Sequence, residues 1–210
     1  MTEAEAQAWI AGQFGDAAVD RLNRFVTILG DESQRQNLIA ASTLSSVWSR
    51  HIADSAQLVP LAAGDASRWC DIGSGAGLPG IVVAILGNAD IWLVEPRGRR
   101  AAFLTDAIAA LDLRNAHVVK GKIETFANVA PMDVITARAV AGLSDLFAMC
   151  EHLTSPTTRF ILPKGRSGRD ELASARTEWQ GTFHVEQSIS DPDSTIILAD
   201  GVTRRCSASR

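Results

Sequence analysis

The sequence predicts an α/β fold, doubly wound around a mostly parallel sheet and preceded by a helical N-terminal segment. Three observations predict it. From Arg68 onward, short apolar runs alternate with stretches of helical periodicity, the pattern of a parallel sheet with helices on both faces. The first of these runs, WCDI, passes directly into DIGSGAGLPG, which holds four glycines in ten residues. Before residue 60, glycine is confined to Gly12, Gly15 and Gly30, and no strand-like alternation occurs.

The elements follow in order. Trp9, Ile10 and Phe14, then Leu22, Phe25, Val26 and Leu29, recur at three- and four-residue steps, which is helical spacing. The polar stretch DESQRQNL after Gly30 is expected to turn. Ser42 or Thr43 is expected to start a helix through LSSVWSRHIADSAQLV, with Val47, Trp48, Ile52 and Leu58 or Val59 inward. Residues 1–60 therefore read as a helical extension packed on a core of residues 61–210. In that core, WCDI is a strand and Pro79 opens a helix, GIVVAILG, in the first turn that suits proline. IWLVE (91–95), His117–Lys120 and Asp133–Thr136 are strands, with a helix over Arg99–Leu111 between the first two. A helix over Leu143–Leu153, a strand over Arg159–Leu162, a helix near Asp170–Trp179 and two strands near Phe183–Val185 and Thr195–Leu198 complete the order.

At 210 residues the chain suits one domain. No apolar run approaches the roughly 18 residues that span a bilayer. The acidic start MTEAEAQAWI lacks a basic, then apolar, leader, so a cytoplasmic, membrane-free protein is expected; a monomer is expected as well, although no sequence feature sets the oligomeric state. Cys70, Cys150 and Cys206 lie far apart, and His51, His117, His152 and His184 form no ligand pair, which argues against a disulfide framework or a metal site. Net charge is −4. Between Arg97 and Arg169, however, 11 Lys/Arg face 6 Asp/Glu, a local +5 on an otherwise acidic chain. Such a patch can steer a polyanion, because screening makes near charges dominate.

The glycine loop fits two templates. From Gly75 it reads G-x-G-x-x-G, a dinucleotide fingerprint; from Asp71 it reads D-x-G-x-G-x-G, a loop that holds S-adenosylmethionine. Glu95 lies 20 residues after Gly75, where an acidic residue binds ribose hydroxyls in either case. Asp71 could accept from a methionine ammonium but would repel a pyrophosphate. Pro79 removes one N–H from the helix N-terminus that a pyrophosphate would use. Both details favour S-adenosylmethionine.

DIGSGAGLPGIVVAI, LVEPRGRRAAFL, GKIE, DVITARAV and PKG, with NLIA and SRHIADS upstream, together resemble the bacterial 16S rRNA guanine-N7 methyltransferase family (RsmG, also called GidB) over about residues 37–170. The resemblance implies a class I S-adenosylmethionine-dependent methyltransferase fold, Rossmann-like with a seven-stranded sheet. It implies methyl transfer to N7 of one guanine in the decoding-region loop of 16S rRNA, in the small subunit or its assembly intermediate, with S-adenosylhomocysteine as product. It places cofactor contacts at Gly73, Leu78, Ile123, Glu124 and Arg138, beside Asp71, Gly75 and Glu95. Arg99–Arg100 and Pro163 depart from the family's usual K-R pair and its Ala or Leu before K-G, and an Arg-rich tail is added at the C-terminus.

Guanine N7 carries a lone pair and no proton, so methylation there needs alignment and electrostatics rather than a general base. The sequence agrees: Thr136, Ala137, Arg138 and Ala139 stand where amino-group methylation uses an N-P-P-Y-like motif. Arg138 and Lys164 are the candidates to orient the base at guanine O6; Arg138 could equally pair with a carboxylate. Arg97, Arg99, Arg100, Lys122, Lys164 and Arg166 are candidate phosphate contacts, with Lys120 and Arg169 extending the rim. His51 and Asp54, at i and i+3, are expected to form a structural pair near the cofactor mouth, and the tryptophans to be core. Two other functions remain open from the residues alone: methylation of a small molecule or protein, and an NAD-binding oxidoreductase or non-catalytic nucleotide-binding module.

Overall fold

The computed structural model describes residues 1–62, 64, 66–127 and 130–205. Cys206 and the end of the Arg-rich tail lie outside these. The seven strands are β1 (Arg68–Ile72), β2 (Asp90–Glu95), β3 (Ala116–Lys120), β4 (Val134–Ala137), β5 (Arg159–Lys164), β6 (Trp179–Gln187) and β7 (Thr195–Arg204), in the order β3-β2-β1-β4-β5-β7-β6. The pairs among β1 to β5 are parallel; β7 pairs antiparallel with β5 and β6. The order reverses between β1 and β4, which opens a crevice at the carboxyl ends of the strands.

Helix α1 (Glu3–Phe14) starts at Thr2, whose hydroxyl accepts from Glu5 N–H while Glu5 accepts from Thr2 N–H, a reciprocal cap. Helix α2 (Asp16–Ser33) buries Leu22, Phe25 and Leu29. Arg21 and Arg24 reach from it to the carbonyls of Ile85 and Ala110, fastening it across the core helices. The turn expected after Gly30 comes later, because α2 runs on to Ser33, whose hydroxyl donates to Leu29 O.

The single helix expected from Ser42 is broken into a 3-10 turn (Ala41–Ser46), a π turn (Trp48–Ile52) and the short helix α3 (Ala53–Ala56). The Glu3 carboxylate accepts from both Trp48 and Ser49 N–H (3.0 and 2.8 Å), and Ala53 N–H reaches back five residues to Trp48 O. A contact from the first helix thus overrides local periodicity, and a π turn re-aims the side chains that follow it.

Helices α4 (Gly80–Leu86) and α5 (Gly98–Ala110) lie on the face with α1 and α2, sharing a core with Trp69, Ile91 and Leu93. Helices α6 (Leu143–Cys150) and α7 (Gly168–Ala175) cover the other face over Cys70, Ile72, Ile135 and Phe160. Trp69 and Cys70 fall on opposite faces, as period-2 alternation requires. Several boundaries differ from expectation; β7, expected near Thr195–Leu198, runs on to Arg204. Trp179 does not end a helix; it opens β6 and is buried against Phe147 with ring centroids 5.6 Å apart. Strand β5 continues through Pro163 and Lys164 because β7 pairs with it to that point. Trp48, Trp69 and Trp179 are buried, while Trp9 and Trp92 are half-buried.

Candidate active site

The glycine loop leaves β1 at Gly73, whose φ is +64°. Its backbone is held from beneath. Asp71 is fully buried; its Oδ2 accepts from Gly80 N–H (3.1 Å) and its Oδ1 from the Thr136 hydroxyl (3.0 Å), which in turn accepts from Trp69 Nε1–H (3.0 Å). A Cβ on Gly80 would lie 2.7 Å from that Oδ2, so glycine is what lets the helix start approach the carboxylate. Glu95, also buried, accepts from Gly75 N–H (2.9 Å) and Arg97 N–H (2.8 Å). The two acids therefore tie β1, β2 and β4 to the loop. Asp71 is drawn into the protein rather than toward a ligand surface. Gly75, Gly77 and Gly80 N–H groups are engaged by Glu95, Ser74 O and Asp71, and Pro79 has none. The embedded G-x-G-x-x-G is thus a poor pyrophosphate cradle. Leu78 packs into the core under the loop.

Two cavities that share Val140 lie at the strand ends, the smaller of them beside the loop. One, of about 220 Å³, is lined by Ile72, Gly73, Val94, Lys122, Ile123 and Glu124 among others. The buried Ile123 forms its apolar wall, and Glu124 stands exposed at its edge. The other, of about 470 Å³, lies at the ends of β4 and β5 and is lined by Asp54, Arg138, Lys164, Glu171 and Thr195 among others. Among the described residues, Thr195 Oγ1 is buried without a hydrogen-bond partner.

Arg138, just beyond β4, faces this second cavity. Its Nη1 donates to Asp54 Oδ2 (3.3 Å) and approaches His51 Nδ1 (3.5 Å). Asp54 Oδ1 accepts from the Ser190 hydroxyl and from Gln57 Nε2. Gln57 also donates to Ser188 Oγ and accepts from Ile189 N–H. Residues 51–57 thereby fasten the β6–β7 connection over the cavity. The expected His51–Asp54 pair is bridged by Arg138 instead, and spacing alone could not reveal this third member. Burial, then the Arg138 charge, lowers the His51 pKa to about 4. Because a guanidinium only donates, the neutral ring accepts at Nδ1 and donates from Nε2 to Thr43 Oγ1 (2.9 Å).

Burial raises the Asp71 pKa to about 6, against the hydrogen bonds from Thr136 and Gly80. A raised acid contributes stability that is present below its unfolded pKa near 3.8 and lost as pH rises through 6; His51, depressed from 6.5, contributes stability lost as pH falls through 4. Between pH 4 and 6 the two slopes oppose. Asp71→Asn is therefore expected to make stability rise more steeply with pH than in the wild type, and His51→Gln to make it fall. Urea denaturation at half-unit pH steps checks this; three parallel curves would refute it.

Of the candidate cations, Lys164 is largely buried and donates to Glu171 Oε2 (2.8 Å) and Ala141 O (2.9 Å). Arg166 is exposed and paired with Asp193. Both are thus engaged by the protein itself. Arg97, Lys120, Lys122 and Arg169 lie at the surface, with no carboxylate in salt-bridge range among the described residues. Arg99 and Arg100 also lack one, but reach across to the carbonyls of Arg35 and Asn37. Among the described residues there is no cluster of metal-binding side chains and no helix long and apolar enough to cross a membrane.

The fold matches solved structures closely enough to classify. A mutant of MtNAS in complex with S-adenosylmethionine aligns with a TM-score of 0.61 at 16% identity, covering 86% of this chain and 71% of that one. The glycopeptide N-methyltransferase MtfA complexed with sinefungin aligns at 0.60 and 11% identity, covering 71% and 93%. Sheet order and glycine loop together define a class I S-adenosylmethionine-dependent methyltransferase fold. The GidB family model, described as rRNA small subunit methyltransferase G, matches residues 18–195. The ribosomal RNA small subunit methyltransferase G of Rhizorhabdus wittichii is 44% identical over 207 residues, 98% of this chain and 95% of its own; that of Erythrobacter litoralis is 40% identical over 201 residues, 95% and 97%. The chain belongs to the rRNA small subunit methyltransferase G family.

Proposed function

We propose that the protein transfers the methyl group of S-adenosylmethionine to N7 of one guanine in the decoding-region loop of 16S rRNA, acting in the cytoplasm as a monomer. The observation that carries this reading is the placement of Arg138 in the larger cavity, next to the glycine-loop cavity, in a chain of this family. The residues present fit the cofactor. Gly73 in the left-handed region exposes bare backbone to the smaller cavity, and Ile123 offers an apolar face for adenine. Gly75, Leu78 and Glu124 would complete the contacts. Glu95 holds the loop at the ribose position while each of its oxygens keeps a free lone pair. When bound, the cofactor supplies an electrophilic methyl group on sulfur. Arg138 would donate to guanine O6 and leave N7 free to attack. Lys164, neutralised by Glu171, would shape the cavity wall rather than bind phosphate. No residue need remove a proton, and His51, neutral and hydrogen-bonded at both nitrogens, is not required as a base.

Residues 1–60 serve as a helical extension of the methyltransferase unit 61–210; a core cluster spanning both supports one structural body. Incubating the protein and cofactor with small-subunit rRNA, and separately with 30S particles, from cells lacking the enzyme tests the reading. N7-methylguanosine in the decoding-region loop is expected by mass spectrometry; its absence from both substrates would refute it.

The exposed cations at the ends of β2 and β3 are read as a phosphate rim. Arg97→Glu with Lys120→Glu, two exposed residues that line neither cavity, is expected to weaken RNA binding with a salt dependence shallower by about 1.4 log units per log unit of salt, from two lost phosphate contacts. Cofactor affinity should change little. Filter binding across a salt series measures this, and an unaltered slope would remove both residues from the rim.

A further inference from the structure

Among the described residues, Val140 is the one side chain that lines both cavities. Large apolar side chains this exposed are few here, and Val140 is 38% exposed. Its position is set from two sides. Ala139 before it takes φ +56°, a left-handed conformation that costs a non-glycine residue free energy and so marks a backbone held in place by its surroundings. On the other side, Val140 Cγ2 presses on Gly73 so closely that a Cβ there would stand 2.7 Å away. A β-branched side chain is also stiff about its first torsion. The junction between the cavities is thus formed by a rigid apolar side chain on a constrained turn.

We propose that Val140 is a positioning residue for methyl transfer, its side chain standing between the two cavities and aligning the groups on either side of it. The inference rests on the methyl-transfer reading above, in which a methyl group leaving the smaller cavity for a base in the larger one passes this side chain. Reacting atoms must come within about 3–3.5 Å, and small misplacements cost large factors in rate. A β-branched residue supplies such a constraint without any polar group that could compete for the methyl.

The test compares Val140→Ala, Val140→Leu and Val140→Ile. Expected is a fall of about tenfold or more in single-turnover rate at saturating cofactor and RNA for Val140→Ala and Val140→Leu. S-adenosylhomocysteine affinity and the KM for RNA should stay within about threefold, and Val140→Ile should recover most of the rate. The side chain is exposed, so folding is expected to survive, with thermal denaturation as the check. Rates unchanged in Val140→Ala, or changes confined to binding, would overturn the proposal. A wild-type protein that binds S-adenosylhomocysteine but transfers nothing to the rRNA would refute the underlying function, and that outcome is visible before any variant is measured.

Discussion

Replacing Gly73 with alanine is expected to weaken S-adenosylmethionine binding by about tenfold or more while leaving the sheet intact. Two effects combine. At φ +64° an L-residue costs about 1–2 kcal/mol relative to glycine. The added methyl would also lie 2.7 Å from Val140 Cγ2, so either the loop or the 139–142 turn must shift. Gly73 and Val140 both line the cavity assigned to the cofactor, and tenfold corresponds to only about 1.4 kcal/mol. Gly73→Arg, with a long side chain added at the same cavity, should abolish binding outright. Titration calorimetry with S-adenosylhomocysteine, alongside far-ultraviolet dichroism, measures the effect. An alanine variant that binds as tightly as the wild type would remove Gly73 from the cofactor site.

Arg138→Met should reduce methyl transfer by about 10- to 100-fold, corresponding to the ~1–3 kcal/mol of a good arginine–guanine contact. Cofactor affinity should fall much less, because Arg138 lines the larger cavity and not the one with Gly73 and Ile123. Methionine keeps much of the side chain's bulk, so the change isolates the charge. A second readout is independent of activity. The Arg138 charge is the second-largest cause of the low His51 pKa, so its removal should raise that pKa, as followed by proton NMR of the imidazole. If cofactor affinity and transfer fall in parallel, Arg138 is a cofactor ligand and the orienting role is lost. The variant also leaves Asp54, only 16% exposed in its side chain, without its cation, and some loss of thermal stability accompanies it.

Much of the architecture is legible in the sequence. WCDI, IWLVE and Arg159–Leu162 read correctly as strands because short, mainly apolar runs between helical stretches suit a sheet buried on both faces. The 41–56 region reads wrongly because Glu3, 45 residues upstream of Trp48, caps its turns. Trp179 is misplaced because an aromatic at the end of a polar helix and an aromatic opening an edge strand look alike in one dimension; packing on Phe147 decides between them. The site is legible as a set of positions at strand ends, and less so as roles. Asp71 and Glu95 are expected to face a ligand; what the sequence does not reveal is that each also holds a backbone N–H, Asp71 that of Gly80 and Glu95 that of Gly75. Lys164 carries positive charge to the right strand end but meets Glu171 there.

The sequence by itself determined the strand–helix alternation, the glycine loop after the first strand, and the family the chain joins. Those signals lie in residue order and in periods of two and 3.6, which survive without three-dimensional context. Only the tertiary structure decided which charges are taken up within the protein and which remain open. Arg138 meets Asp54 across 84 residues, and Gln57 meets Ser188 across 131. It also placed Val140, in sequence an ordinary valine two residues after Arg138, at the junction of two cavities. Side-chain partnership depends on how the sheet stacks and on which loops its ends bring together, and no local pattern encodes that.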